Sequence, residues 1–251
     1  MIKARHAKWA DRIFYPYVMG LFKRHFHAIH LLGEVPETNP ELPLLLLPNH
    51  STWWDGFFVY LLNRKLFARL PYLMMLEEQL ARYRFFARLG AFSINPHSAG
   101  SVRESIRYSI EILKQQLTPK PLLCIFPQGD LWPWDKRPLE FKGGTEVILN
   151  GYAGRVNLLP LAIRTEFLGE QRPEAFFLFG QNTITNSNTF LGMQRLQEIE
   201  ENLLDQLRDR ITKGEQGITL VSGRKSINQK FDAVRGLGKT EAESHVDHPA
   251  P

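Results

Sequence analysis

Apolar residues along this chain fall into two patterns. The first is the short continuous run, bounded by turn-forming residues and too short for a helix. Such runs occupy Ala28–Leu32 and residues 44–47, 72–76, 91–95, 122–126, 156–163 and 175–180. Runs of that length, apolar on both sides, predict buried strands. Pro160 interrupts one of them and predicts an edge or strand-end position, because proline donates nothing to a ladder. The second pattern is helical. Val102, Ile106, Ile110, Leu113 and Leu117 share one face, and Ser101 with Glu104 reads as the capping box that opens that helix. Leu196, Ile199, Leu203, Leu207 and Ile211 make a second stripe over residues 191–212, closed by Gly214. Residues 57–62, 77–88 and a segment from Gly144 to about Tyr152 also read as helices. Residues 34–43 are a proline-rich loop and residues 63–69 a basic loop.

Strands alternating with helices predict the α/β class: a single domain with a mostly parallel central sheet flanked by helices. An N-terminal helical segment stands apart in composition. It mixes Lys3, Arg5, Lys8, Arg12, Lys23 and Arg24 with Trp9, Ile13, Phe14, Tyr15, Tyr17, Phe22 and Phe26, and Pro16 should split it into two short pieces. Cations among large rings suit a membrane interface. The plain alternative is an amphipathic helix packed on the body. The expected organisation is an interface segment over residues 1–27, a domain over 28–222, and a tail over 223–251 that loses order from about 237. Deleting residues 1–24 is then expected to leave a folded protein.

Composition narrows the function. Over 251 residues, 43% hydrophobic and 23% charged content describe a globular chain. A formal charge of +5 favours anionic partners without choosing among them. The single cysteine, Cys124, excludes an internal disulfide framework and lies inside an apolar run, so core packing is expected. No apolar run reaches the ~18 residues of a membrane span, and no secretory leader is evident, so a cytoplasmic, peripheral location is expected. There is no dinucleotide fingerprint, phosphate loop, G-x-S-x-G elbow or nucleic-acid-binding signature.

The chemistry concentrates after the run at 44–47. There the chain reads Pro48-Asn49-His50-Ser51-Thr52-Trp53-Trp54-Asp55-Gly56. A histidine at a strand end, five positions before a carboxylate in a first helical turn, is placed to serve as a base with an orienting partner. The spacing alone decides nothing: His6 and Asp11 share it without a strand before them. Ser51 reads as a helix cap rather than a nucleophile.

Further motifs give this pair its context. Residues 49–55 resemble the NHxxxxD block of the glycerolipid acyltransferases, the lysophosphatidic-acid acyltransferase-like family. Phe126-Pro127-Gln128-Gly129 resembles that family's FPEG block, Phe141-Lys142-Gly143-Gly144 its lysine-glycine segment, residues 158–163 its proline-containing strand, and residues 90–94 stand in place of its second block. The blocks keep the family's order. The resemblance implies an acyl donor, acyl-CoA or acyl-carrier protein, and a lipid-like alcohol acceptor, with no metal or resident cofactor. It implies His50 as general base paired with Asp55, and Asn49, Phe126, Pro127, Gln128, Gly129, Lys142 and Gly143 around the oxyanion or substrate. Arg64 and Lys65 are further candidates for donor phosphates, and Trp53, Trp54, Met74 and Met75 for an acyl tunnel. Two departures bear on the acceptor: Gln128 replaces the usual Glu, and Asn95-Pro96 stand where Arg is common. A neutral Gln128 facing the acceptor would suit a hydroxyl or a sugar. Competing functions are a thioesterase or lysolipid hydrolase on the same scaffold, and a non-catalytic basic membrane-binding module.

Overall fold

The chain folds in the order α1 (Lys8–His25), β1 (Ala28–Leu32), β2 (Leu44–Pro48), α2 (Asp55–Leu62), β3 (Leu70–Leu76), α3 (Glu77–Arg82), β4 (Ala91–Ile94), α4 (Ala99–Leu113), β5 (Pro121–Cys124), α5 (Gly144–Tyr152), β6 (Val156–Glu166), β7 (Glu174–Phe179), β8 (Thr183–Thr185), α6 (Met193–Thr212) and β9 (Ile218–Ser222). This is a computed structural model, and it describes residues 1–227 and 229–231. The tail from residue 237, expected to lack order, lies outside the described residues.

Strands that are apolar on both sides need cover on both faces, and the helices supply it. The sheet runs β4–β3–β5–β2–β6–β7–β1–β9, with β8 beside β6. From β4 to β6 all neighbours are parallel, and β7 with β1 is a second parallel pair running opposite to β6. Phe14, Val18 and Phe22 of α1 and Phe58, Leu61 and Leu62 of α2 cover one face, against Leu44, Leu46, Cys124 and Leu159. On the other face α4 and α5 cover Leu45, Leu47 and Leu123, while Leu203, Leu204 and Leu207 of α6 cover Ala162 and Leu178. The class and the mostly parallel sheet match expectation.

Several local expectations are corrected. The N-terminal segment is one helix, not two, although Pro16 lies inside it. Pro16 sits on the solvent side, so the carbonyl it leaves unpaired one turn earlier faces water. Ala10, Phe14, Val18 and Phe22 are buried at 5% exposure or less. Removing residues 1–24 would therefore strip one face of the sheet, and the expectation of a folded truncation is withdrawn.

Pro160 lies in the interior of β6, a central strand, not at an edge. The Pro160 carbonyl accepts from the Gly180 amide at 3.0 Å. The proline nitrogen faces that same side, where β8 has ended at Leu158 and β7 begins at Leu161. The missing donor thus falls at a handover between partners. Ser98, not Ser101, caps α4, and Ser101 is bonded to Asn95 and Glu77 instead. The helix also ends at Leu113, short of Leu117. Residues 63–67 form a π-helical turn rather than a loop, and residues 77–88 break at Tyr83 into α3 and a 3-10 segment.

Candidate active site

Strands β2 and β5 are parallel neighbours, so the loops after them leave the sheet side by side. One carries His50 and the other Phe126 to Gly129. This is the carboxyl end of a parallel sheet, where adjacent loops diverge and leave a crevice.

Asp55 begins α2 and is wholly buried, yet its carboxylate is saturated with donors. Oδ2 accepts from His50 Nδ1 at 2.8 Å, from the Ser51 amide at 2.8 Å and from the Thr52 amide at 2.9 Å. Oδ1 accepts from the Thr52 hydroxyl at 2.6 Å. Four donors and the helix N-terminus together offset the cost of burying this charge. Thr52 is the member that sequence reasoning missed. Its signal was present, a hydroxyl three positions before a helix-opening carboxylate. Ser51 caps no helix, and its hydroxyl accepts from the Asn49 side chain at 3.2 Å.

The imidazole is fixed on two sides. Phe126 stacks on it with centroids 4.1 Å apart, and Nδ1 is bound to Asp55, which leaves Nε2 for chemistry. The histidine backbone is clamped as well. Its amide donates to Gln128 Oε1 at 2.6 Å, and its carbonyl accepts from the Trp132 amide at 2.9 Å.

The remaining sequence candidates divide. Asn49 is buried, and its side chain extends the ladder onto β6 through Ile163, donating to that carbonyl at 3.0 Å and accepting from that amide at 2.7 Å. It builds the loop's root. Gln128 is buried too, and its carbonyl oxygen accepts from the His50 amide. Pro127 lies beneath it, its carbonyl accepting from the Lys142 amide at 2.9 Å. Gly129 has φ +74°, and an added Cβ would stand 3.0 Å from Lys142 Nζ. Glycine is therefore favoured by the left-handed conformation, while the exposed Lys142 tip could move aside. Lys142 lies exposed beside it, paired with Asp130 at 3.1 Å, and Gly143 opens α5. Arg64 is not at the site; it is bound to Asp11 and lies over Tyr15. His6 and Asp11 are not partners: His6 meets the Pro71 carbonyl, while Asp11 accepts from Tyr60 and Arg64. Cys124 is fully buried, and burial pushes its thiol well above the ordinary range, which removes it as a nucleophile.

Comparison with known proteins decides the family. A family model described as Acyltransferase matches residues 8–164, from α1 through most of β6. The chain belongs to the acyltransferase family. The matched span holds His50, Asp55 and the loop after β5. The fold of this acyltransferase is similar to that in the crystal structure of the 1-acyl-sn-glycerophosphate (LPA) acyltransferase, PlsC, from Thermotoga maritima. The TM-score is 0.53 at 15% identity, covering 85% of this chain and 86% of that one. A search of curated proteins finds no match.

Proposed function

We propose that this acyltransferase moves a fatty acyl group from acyl-CoA or acyl-carrier protein to the hydroxyl of a lipid-like alcohol, with His50 as general base. The observation that carries this reading is the His50–Asp55 pair: a buried carboxylate on Nδ1 and an unengaged Nε2 beside the loop after β5. The acceptor hydroxyl gives its proton to Nε2 as its oxygen attacks the thioester carbonyl. Asp55 holds the tautomer and stabilises the imidazolium that results. The tetrahedral intermediate collapses, the C–S bond breaks, and the thiolate leaves with the proton from Nε2. The oxyanion needs N–H donors. The Gly129 amide already donates to Phe126 at 3.0 Å, so the neighbouring amides of Gln128 and Asp130 take that role. No side chain is acylated.

The PlsC of similar fold is named for 1-acyl-sn-glycerophosphate, but the surroundings of His50 favour another acceptor here. Lys142 is paired with Asp130, and Trp132 and Trp134 line the same loop. We assign the acceptor as a lipid hydroxyl without an adjacent phosphomonoester.

The same proposal places the enzyme on the inner face of a membrane. Among the described residues no helix is long and apolar enough to cross one. The outer side of α1 exposes Ile13 at 60% and Tyr17 at 59%, and Trp53, three residues from His50, is 66% exposed. Phe57 links the two, stacking edge-on with Trp53 at 4.7 Å and lying 5.8 Å from Phe14. An open groove of about 410 Å³ between Ile13, Tyr17, Tyr83 and Phe86 is flanked by Arg82 and Arg84. Rings at headgroup depth and guanidinium groups on anionic lipid fit that surface.

Release of free thiol from acyl-CoA or acyl-carrier protein tests the chemistry. Release that requires an alcohol supports the transferase. Release without one indicates a hydrolase, and no release from either donor leaves a binding module.

A further inference from the structure

The mechanism leaves one buried ionisable group without a task. Glu200 lies in the middle of α6, on the side of the sheet opposite α2, and is 1% exposed. Neither carboxyl oxygen has a hydrogen-bond partner among the described residues. The position is not remote, because the side chain approaches the backbone amides of Asn49 and Leu161, at the root of the catalytic loop. The Asn49 amide is already directed to the Leu161 carbonyl at 3.3 Å, so it makes no full bond to Glu200. This carboxyl's neighbour, Asn49, immediately precedes the base, His50.

A buried carboxyl with no partner is tolerated as the neutral acid and not as the anion. The charged groups around it are few. Among the described residues, Arg137, on the loop after β5, is the cation acting on it, and that guanidinium is engaged with Asp205 at 3.3 Å and with the Trp134 carbonyl at 2.7 Å. On its own helix, Glu201 accepts from the Leu139 amide and Asp205 from Arg137 and Arg208. On β6, Arg164 is held by Asp135 and Glu166. Burial raises the Glu200 carboxyl to about 8, with the two amides and Arg137 opposing the rise.

We propose that Glu200 is a positioning residue: as the neutral acid it leaves the root of the His50 loop undisturbed, and its ionisation displaces that loop and withdraws the base from register. The proposal rests on His50 being the working base for its kinetic consequence, but its structural part stands apart from the identity of the substrate. Ionisation would place a buried charge, only partly compensated, against the Asn49 and Leu161 amides. Those amides would turn toward it, and Arg137 would be drawn from Asp205, carrying the loop that bonds the His50 carbonyl through Trp132.

Amide spectra of the full chain over about pH 6 to 9 test this directly. The Asn49 and His50 amide signals are expected to titrate together near the Glu200 midpoint in the wild type and to stay fixed in Glu200→Gln. Rates extend the test. Wild-type kcat should fall at least tenfold on the alkaline side with KM little changed, while Glu200→Gln should keep the neutral-pH kcat and lose that limb. Fixed Asn49 and His50 signals in the wild type overturn the proposal, even if Glu200→Gln fails to fold. An alkaline limb retained unchanged in a folded Glu200→Gln overturns it too. Titrating amides in a protein that transfers no acyl group would uphold the positioning and refute only the proposed reaction.

Discussion

At the scale of single residues, the His50–Asp55 pair makes sharp claims. His50→Ala removes the base and should lower kcat by roughly 10²- to 10⁴-fold with the fold intact, checked by turnover and circular dichroism. Asp55→Asn should cost a comparable factor for a different reason. The carboxylate accepts four hydrogen bonds, one from His50 Nδ1, and an amide nitrogen cannot accept any of them. This variant should also lower the melting temperature, because a buried donor would then face a donor. Glu200 sets a pH dependence of stability. Its folded value, about 8, lies above its ordinary 4.5, so between those values the folded state holds more protons than the unfolded state. Stability therefore falls as pH rises through that window, and below it the contribution is fully present. Melting temperatures from pH 5 to 8 should decline for wild type and decline less for Glu200→Gln; parallel curves would remove Glu200 as the cause.

At the scale of elements, α1 has two faces with separate tasks. The inner face, Phe14, Val18 and Phe22, belongs to the main core, so any test of membrane binding must leave it alone. Replacing Ile13 and Tyr17 by Ser removes mainly exposed apolar area. The double variant should melt like the wild type but bind anionic vesicles more weakly, with the remaining binding lost at high salt. Sedimentation equal to wild type would exclude this face. The same helix shows what sequence can and cannot yield. Strands such as Leu44–Pro48 and Pro121–Cys124 were legible because burial on both faces leaves a continuous apolar run. Strands β8 and β9 were not, since Thr183–Thr185 is short and polar and Ile218–Ser222 is an edge with one buried residue. Pro16 and Pro160 misled for one shared reason. A proline's missing donor costs little where water meets the carbonyl it leaves, as at Pro16, or where no strand partner stands opposite, as at Pro160, and that depends on which way the backbone faces in three dimensions. His50 and Asp55 were legible as a pair because their link is local in sequence. Glu200 was not, because 150 residues separate it from the loop it approaches.

At the scale of the whole molecule, the acceptor follows from how charge is arranged over the carboxyl end of the sheet. The chain carries a formal charge of +5, yet two cations on the segments at this end are already matched. Lys142 pairs with Asp130, and Arg164 is held between Asp135 and Glu166. Lys136 lies over the Trp132 ring at 3.1 Å and Arg164 near that of Trp134 at 5.9 Å, which turns the loop toward aromatic surface rather than open charge. A phosphomonoester recognised beside His50 would need fixed donors such as an arginine fork, and here it would meet Asp130. An acceptor whose hydroxyl stands on a neutral or glycosyl headgroup meets no such repulsion. Steady-state kinetics over a panel of lysophosphatidic acid, other lysophospholipids, diacylglycerol and sugar-linked lipids should therefore give lysophosphatidic acid a lower kcat/KM than the best neutral-headgroup acceptor. Asp130→Asn frees Lys142 and removes the repelling charge. As the pair is exposed, its effect is bounded at about 1 kcal/mol, so the KM for lysophosphatidic acid should fall roughly fivefold at most, and less in high salt. The neutral acceptor's KM should not move. A wild-type enzyme that prefers lysophosphatidic acid, with Asp130→Asn leaving its KM unchanged, would mean that another cation holds the phosphate and that the pairing of Lys142 with Asp130 does not govern acceptor choice.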